Sequence, residues 1–291
     1  MSFWKILRVL VTDSCNYKCI YCHNEGQESV NKKQFLRYEQ FSQIFKGIEE
    51  TPINQIRFSG GEPFLNPEIL DMIDLVHRKG PYEIGIATNG SLINTVIAKR
   101  LAVAHVLVTL HFPGVNEENY HKVTGNEFSA FIRCVETLEA NNVDYSFNFV
   151  LCKLTYDYVE DIIDYASKMH RRLKILPLLE GKYKDNQVEY WVENVGQLLF
   201  KKGATRTFDI RSGITLWRLK NDTVVKIIPL ACAQKDITIC RDYAELRLLP
   251  NLSFMSCITS KQEPVFSFKP ADIRKQITLL WDNFNECPLL R

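Results

Sequence analysis

A chain of 291 residues holds one large domain with an appendage, or two modest domains. Its 36 Lys and Arg nearly balance 34 Asp and Glu, and a net charge of +2 leaves no broad basic field for nucleic acid. No apolar run approaches the roughly 18 residues of a membrane span, so neither nucleic acid nor a membrane is an expected partner.

Strand-like and helix-like segments alternate along the first part of the chain. Residues 5–12 read as a strand, and the apolar run Ile6 to Val11 leads directly into a loop holding Cys15, Cys19 and Cys22. That run is short and lacks a small-residue cleavage site, so it does not read as a signal peptide. A helix is expected over 38–50, a strand over 55–59, and a helix opened by Asn66-Pro67 and closed near Lys79-Gly80. Then follow a strand over 82–88, a helix over about 93–102, and a strand over 105–110 with its helix over 127–140. The fifth strand covers 144–150 with a helix over 155–169, and the sixth covers 173–178. Six such steps imply parallel pairing with helices outside the sheet, and chemistry at the carboxyl ends of the strands. After about residue 185 the pattern changes. A helix over 188–202 leads into short strands over 205–210, 215–219 and 224–228, a hairpin-like region over 245–249 and 252–256, and a last helix over about 270–284. The expected division is 1–185 and 186–291, the second part being a separate module.

Nine cysteines is an odd number, and with no export signal it points to metal ligation in a reducing cytosol rather than to a disulfide framework; the expected location is cytoplasmic. The C-x3-C-x2-C spacing of Cys15, Cys19 and Cys22 lets three thiolates hold three irons of a four-iron cluster and leaves the fourth iron open. Zinc is the alternative, but a structural zinc site closes with four ligands, and only His23 lies nearby to serve.

The loop resembles the signature of the radical S-adenosylmethionine (SAM) superfamily, including the aromatic Tyr21 before the third cysteine. Two further segments carry the resemblance in the same order, each after a strand: Arg57-Phe58-Ser59-Gly60-Gly61-Glu62-Pro63 and Ala87-Thr88-Asn89-Gly90. The resemblance implies an α/β fold, a partial (βα)6 TIM-like barrel. It also implies a [4Fe-4S] cluster on the three cysteines, SAM bound at its open iron, and a low-potential electron donor such as flavodoxin or ferredoxin. In that reading the cofactors carry the radical chemistry and no protein side chain is assigned as catalytic. Gly60 and Gly61 would let backbone approach the methionine end of SAM, Glu62 would meet its ammonium, and Pro63 completes the motif. Thr88, Thr109 and Asn148, at or near the ends of strands three to five, would contact the SAM carboxylate or ribose; a local hydrogen bond is the alternative for each. His111 would face the mouth as an acid or base, or serve as a structural histidine.

Within the superfamily the chain is similar to the GTP 3′,8-cyclase family of molybdenum cofactor biosynthesis. Leu7 to Tyr17, Val108 to His111 with Asn119 to Gly125, and Cys240 with Leu246-Arg247-Leu248 and Cys257 carry that similarity. It implies a C-terminal α+β iron–sulfur module of the twitch or SPASM kind holding a second [4Fe-4S] cluster on Cys232, Cys240, Cys257 and Cys287. Zinc on those four cysteines is the alternative, and Cys134 and Cys152 are left as ordinary buried thiols. Cys232 departs from the cyclase spacing. Arg8 and Arg57 match two triphosphate-binding positions, but Glu245 stands where that family has an arginine, and its Gly-Gly tail is absent. A carboxylate there would repel a triphosphate. The expected substrate is therefore a small molecule or a peptide rather than GTP. Two other readings compete: a single-cluster nucleotide dehydratase of the viperin type, similar at 15–22 and 57–65, and a non-catalytic iron–sulfur or zinc redox sensor. A C-terminal cluster discriminates against the first, and the Gly60–Pro63 and Thr88–Gly90 segments against the second.

Overall fold

Helices form where apolar residues recur at helical spacing. On α1 (Tyr38–Ile48) Phe41, Ile44, Phe45 and Ile48 are buried, and on α2 (Ile69–Lys79) Ile69, Met72, Ile73 and Val76 are. On the strands the period is two. Leu7 and Val9, Ile56 and Phe58, and Leu173 and Ile175 are buried, while Arg8, Arg57 and Lys174 point to the opposite face and stay partly open. One face of the sheet is therefore core and the other is polar.

The computed structural model describes residues 3–24, 27, 33–178, 187–209, 213–228 and 236–286. In it β1 (Ile6–Leu10), β2 (Gln55–Ser59), β3 (Glu83–Thr88), β4 (Leu107–His111), β5 (Tyr145–Leu151) and β6 (Leu173–Pro177) lie side by side, each parallel to the next. Helix α3 (Thr95–Val103) joins β3 to β4, α4 (Glu117–Thr124) and α5 (Phe128–Ala140) join β4 to β5, and α6 (Val159–Lys168) joins β5 to β6. No separate helix is expected from the sequence at α4. It has only Tyr120 and Val123 as large buried apolar residues, but its ends are marked by the Asn116 side chain accepting from Asn119 N and by left-handed Gly125.

After α7 (Val188–Lys201) the strands turn antiparallel. The strands β7 (Thr205–Phe208), β8 (Thr215–Arg218) and β9 (Val224–Ile227) form a meander, and β9 adds in parallel to β6. Helix α8 (Ile237–Tyr243) leads to β10 (Glu245–Leu248), which pairs in parallel with β1 at the other edge. The strands β11 (Ser253–Met255) and β12 (Glu263–Pro264) continue outward, antiparallel. Among the described residues the order is β12-β11-β10-β1-β2-β3-β4-β5-β6-β9-β8-β7, one sheet of twelve strands. The strands after α7 extend both edges of the N-terminal sheet. An unpaired parallel edge offers a row of free N–H and C=O groups, and these segments satisfy it.

The last helix, α9 (Pro270–Asn283), packs beside α1 and fastens the two chain halves. Trp4, fully buried, meets Trp281 edge-on at 4.9 Å and stacks on Phe284 at 5.4 Å. Trp4→Ala is expected to cost about 3–5 kcal/mol, read as a lowered urea midpoint. An unchanged midpoint would show that α9 does not anchor on this ring. Among the described residues no helix is long and apolar enough to cross a membrane.

Candidate active site

The cysteine loop leaves β1 and is held on both sides by backbone. Gly61 N donates to Thr12 O and Glu62 N to Ser14 O, each at 2.8 Å, and Ile20 N donates to Val123 O at 3.1 Å. The two glycines of the Gly-Gly-Glu-Pro segment are needed for that approach. A Cβ on Gly60 would sit 2.5 Å from Thr12 O, and one on Gly61 would run into the Ser14 carbonyl and lie 2.9 Å from Cys15 N. The space they leave is filled by the cysteine loop itself.

Cys15 and Cys22 are exposed and Cys19 is half-buried. Backbone N–H groups point at two of the sulfurs, from Tyr17 to Cys15 Sγ at 3.3 Å and from Asn24 to Cys22 Sγ at 3.4 Å. Burial, then the neighbouring charges of Cys22 and Cys15, pushes the Cys19 thiol up to about 12. Burial also raises Cys15, which Tyr17 N–H partly offsets and the Glu62 charge adds to. Three thiolates so placed are stable only against positive charge, which iron supplies, and N–H donors to thiolate sulfur are the support such a ligand set requires. The donor set therefore fits an iron–sulfur cluster. Among the described residues no group of three Cys, His, Asp or Glu side chains is arranged around a single metal ion.

Glu62 is fully buried. It accepts from Thr88 Oγ1 at 2.7 Å, Asn89 N at 2.8 Å and Phe64 N at 3.2 Å. Burial raises its carboxyl to about 7 against the pull of those bonds. Here Glu62 joins the end of β2 to the end of β3 through Thr88, whose hydroxyl also accepts from Gly90 N at 3.0 Å. Buried Pro63 opens the 3-10 turn Pro63–Leu65. Thr109 Oγ1 lies 3.4 Å from Ser146 Oγ, and both Thr109 and Asn148 line a cavity of about 560 Å³ on the polar face. Asn148 Oδ1 is buried without a hydrogen-bond partner.

Three features escape sequence reading. Asn89 donates to Asn16 Oδ1 at 2.9 Å, with its amide 3.9 Å from Cys15 Sγ, so the Thr88–Gly90 segment clamps the loop. Asn66, buried, donates to Val11 O at 3.0 Å and Leu36 O at 2.8 Å. Tyr21 OH lies 2.7 Å from His111 Nε2, and His111 Nδ1 lies 3.9 Å from Cys19 Sγ. Burial pushes the imidazole down to about 4, so it is neutral at physiological pH. A thiolate only accepts, so the arrangement calls for Nδ1–H toward Cys19 and the tyrosine proton toward Nε2. His111→Leu is expected to lower the reduction potential of a cluster held there, since hydrogen bonds to sulfur favour the reduced form, with iron content unchanged. An unchanged potential in a redox titration would remove His111 from that role.

In the C-terminal part, Cys240 lies on α8 and Cys257 follows β11, and both are half-buried. Cys232 and Cys287 lie outside the described residues. Cys134 and Cys152 are buried, as ordinary core thiols are.

The sequence pattern of the radical SAM superfamily matches residues 9–166, more than half of the chain. The chain belongs to the radical SAM superfamily, and with it to a family of enzymes. A protein of Methanococcus aeolicus named probable GTP 3′,8-cyclase is 30% identical over 202 residues, 68% of this chain and 67% of that protein. A namesake from Pyrobaculum aerophilum is 26% identical over 261 residues, 87% of this chain and 83% of that one. Against two other relatives of that name the chain spans 57% and 58% of their length. Among solved structures, Streptococcus suis SuiB bound to SAM superposes over 97% of this chain and 66% of its own. Its TM-score is 0.73 and its identity 15%. Native anSMEcpe with bound SAM covers 87% and 74%, with a TM-score of 0.63 at 19% identity. The fold is that of these radical SAM enzymes.

Proposed function

We propose that the protein is a radical SAM enzyme acting on a small molecule or a peptide other than GTP, with a second, auxiliary cluster. Cys15, Cys19 and Cys22 would hold a [4Fe-4S] cluster, which together with SAM would supply radical chemistry for hydrogen abstraction from the substrate. The chain's own residues do the rest. Gly60 and Gly61 seat the cysteine loop on β2, Glu62 and Asn89 fix the adjoining turn, and His111 with Tyr21 holds the Cys19 side. Thr109 and Asn148 face the cavity where a ligand would lie. Electrons would come from a flavodoxin or a ferredoxin, and the cytoplasm is the proposed location. The single observation that carries the reading is the set of three thiols with N–H donors, packed on the glycine pair.

Cyclisation of GTP is the second reading, favoured by the name of the relatives. Against it stands Glu245, which takes Arg8 and Arg57 in ion pairs at 2.5 Å and 2.9 Å, the two arginines the cyclase similarity assigns to triphosphate. The structures of SuiB with precursor peptide SuiA and of anSMEcpe with a peptide support a peptide as the substrate alternative. The auxiliary cluster is proposed on Cys232, Cys240, Cys257 and Cys287. Iron and sulfide analysis tests this: about eight irons are expected in the reconstituted chain and about four after loss of Cys15, Cys19 and Cys22. A count of about four in the intact chain would reject the second cluster, and conversion of GTP to the cyclic cofactor precursor would reject the substrate assignment.

A further inference from the structure

Strand register arranges the polar face of the sheet in two rows. One runs from Arg247 on β10 to Arg8 on β1 and Arg57 on β2. The other runs from Lys226 on β9 to Lys174 on β6, Asn148 on β5 and His111 on β4. In the first row Glu245 accepts from Arg8 Nε and Arg57 Nη1. Burial pushes its carboxyl up, but the Arg8 charge and hydrogen bond, and then the Arg57 and Arg247 charges, outweigh that and hold it below the usual carboxylate range. The guanidiniums of Arg8 and Arg57 are thus partly satisfied within the protein.

The second row is different. Neither Lys174 nor Lys226 has a hydrogen bond or ion pair among the described residues, although both sit half-buried side by side. Burial, then the positive charges of Arg57, Lys226 and Arg8, pushes the Lys174 ammonium down to about 8, with Glu245 opposing only weakly. Lys226 is lowered by burial and by Arg57, against the opposing charge of Asp209. Two neighbouring ammonium groups with no ion pair of their own are unfavourable, Glu245 and Asp209 acting on them only from a distance, and an anion seated between them would offset that cost. Lys174 lines the same cavity as Arg8, Arg57, Thr109 and Asn148, whose carbonyl oxygen has no partner.

We propose, on the radical SAM reading above, that Lys174 and Lys226 anchor a single small oxyanion of the substrate, a carboxylate or a monophosphate, and that Glu245 excludes polyphosphates by holding Arg8 and Arg57. From Lys174 to His111 is two strand spacings, about 10 Å. A substrate anchored at the lysines and extended along the row would pass Asn148, which can accept from a donor at its middle, toward His111 beside Cys19.

Acylation rates of individual lysines, read by mass spectrometry on the full chain, test this without turnover. Inorganic phosphate or acetate is expected to slow acetylation of Lys174 and Lys226 several-fold while exposed Lys99 is unaffected. The anion that protects at the lower concentration names the head group. Tripolyphosphate should protect no better than phosphate in the parent chain, and about tenfold better in Glu245→Gln, where both guanidiniums lose their shared carboxylate. In Lys174→Met, protection at Lys226 should be lost with iron content retained. Equal rates with and without every anion would overturn the subsite, and strong tripolyphosphate protection of the parent chain would overturn the role of Glu245. SAM cleavage measured on the same preparation separates the two levels. Intact cleavage without protection rejects only the lysine subsite, whereas absent cleavage rejects the reading beneath it.

Discussion

Replacement of Cys15, Cys19 and Cys22 together by alanine is expected to reduce formation of 5′-deoxyadenosine from SAM to the rate without enzyme, in a chain that still folds. The fold should survive because the loop is held by backbone and not by its sulfurs. Gly61 N, Glu62 N and Ile20 N make their hydrogen bonds whatever the cysteine side chains are. Removing three thiols, two of them exposed, opens little of the core, so circular dichroism and the urea midpoint should stay close to those of the parent. Residual cleavage in the triple variant would mean that another part of the chain holds the reactive cluster.

The second large effect is expected from one methyl group. In Gly61→Ala the new Cβ would overlap the Ser14 carbonyl and approach Cys15 N to 2.9 Å, and both contacts are backbone. Side chains that are too large in a packed core cost about 1–3 kcal/mol when neighbours can shift. Here the neighbour that must shift is the peptide carrying the first cysteine. Stability should therefore fall by about that amount, and the four irons of the N-terminal site should be lost, as measured by iron analysis after anaerobic preparation. Gly125→Ala is the control. Its φ of 70° strains an L residue, at a cost of about 1–2 kcal/mol, but nothing lies within 4 Å of the added atom and iron content should hold. If Gly61→Ala keeps its iron, the glycine pair does not seat the loop.

The N-terminal strands and helices could be read from the chain because their signals are local: period-two and helical apolar spacing, Pro and Gly at helix ends. Boundaries shift by only a residue or a few, as in β4, expected at 105–110 and found at Leu107–His111. The partner of β10 could not be read, because Arg8 and Arg247 meet across most of the chain and no local pattern encodes that pairing. The same distance hides the function of Glu245. Similarity marks it as a carboxylate in an arginine's place, and only the ion pairs across β10, β1 and β2 show it between Arg8 and Arg57. At the site, residue types and spacing expose the three cysteines, whereas their supports depend on three-dimensional packing. Asn89, just past β3, and His111, at the end of β4, reach the loop only once the sheet has formed.

The most direct test of the central claim is to reconstitute the full chain anaerobically with iron and sulfide, add SAM and dithionite, and quantify 5′-deoxyadenosine and methionine by chromatography. Both products are expected in equal amounts above the background without protein. Iron-loaded protein that leaves SAM intact under these conditions would contradict that claim.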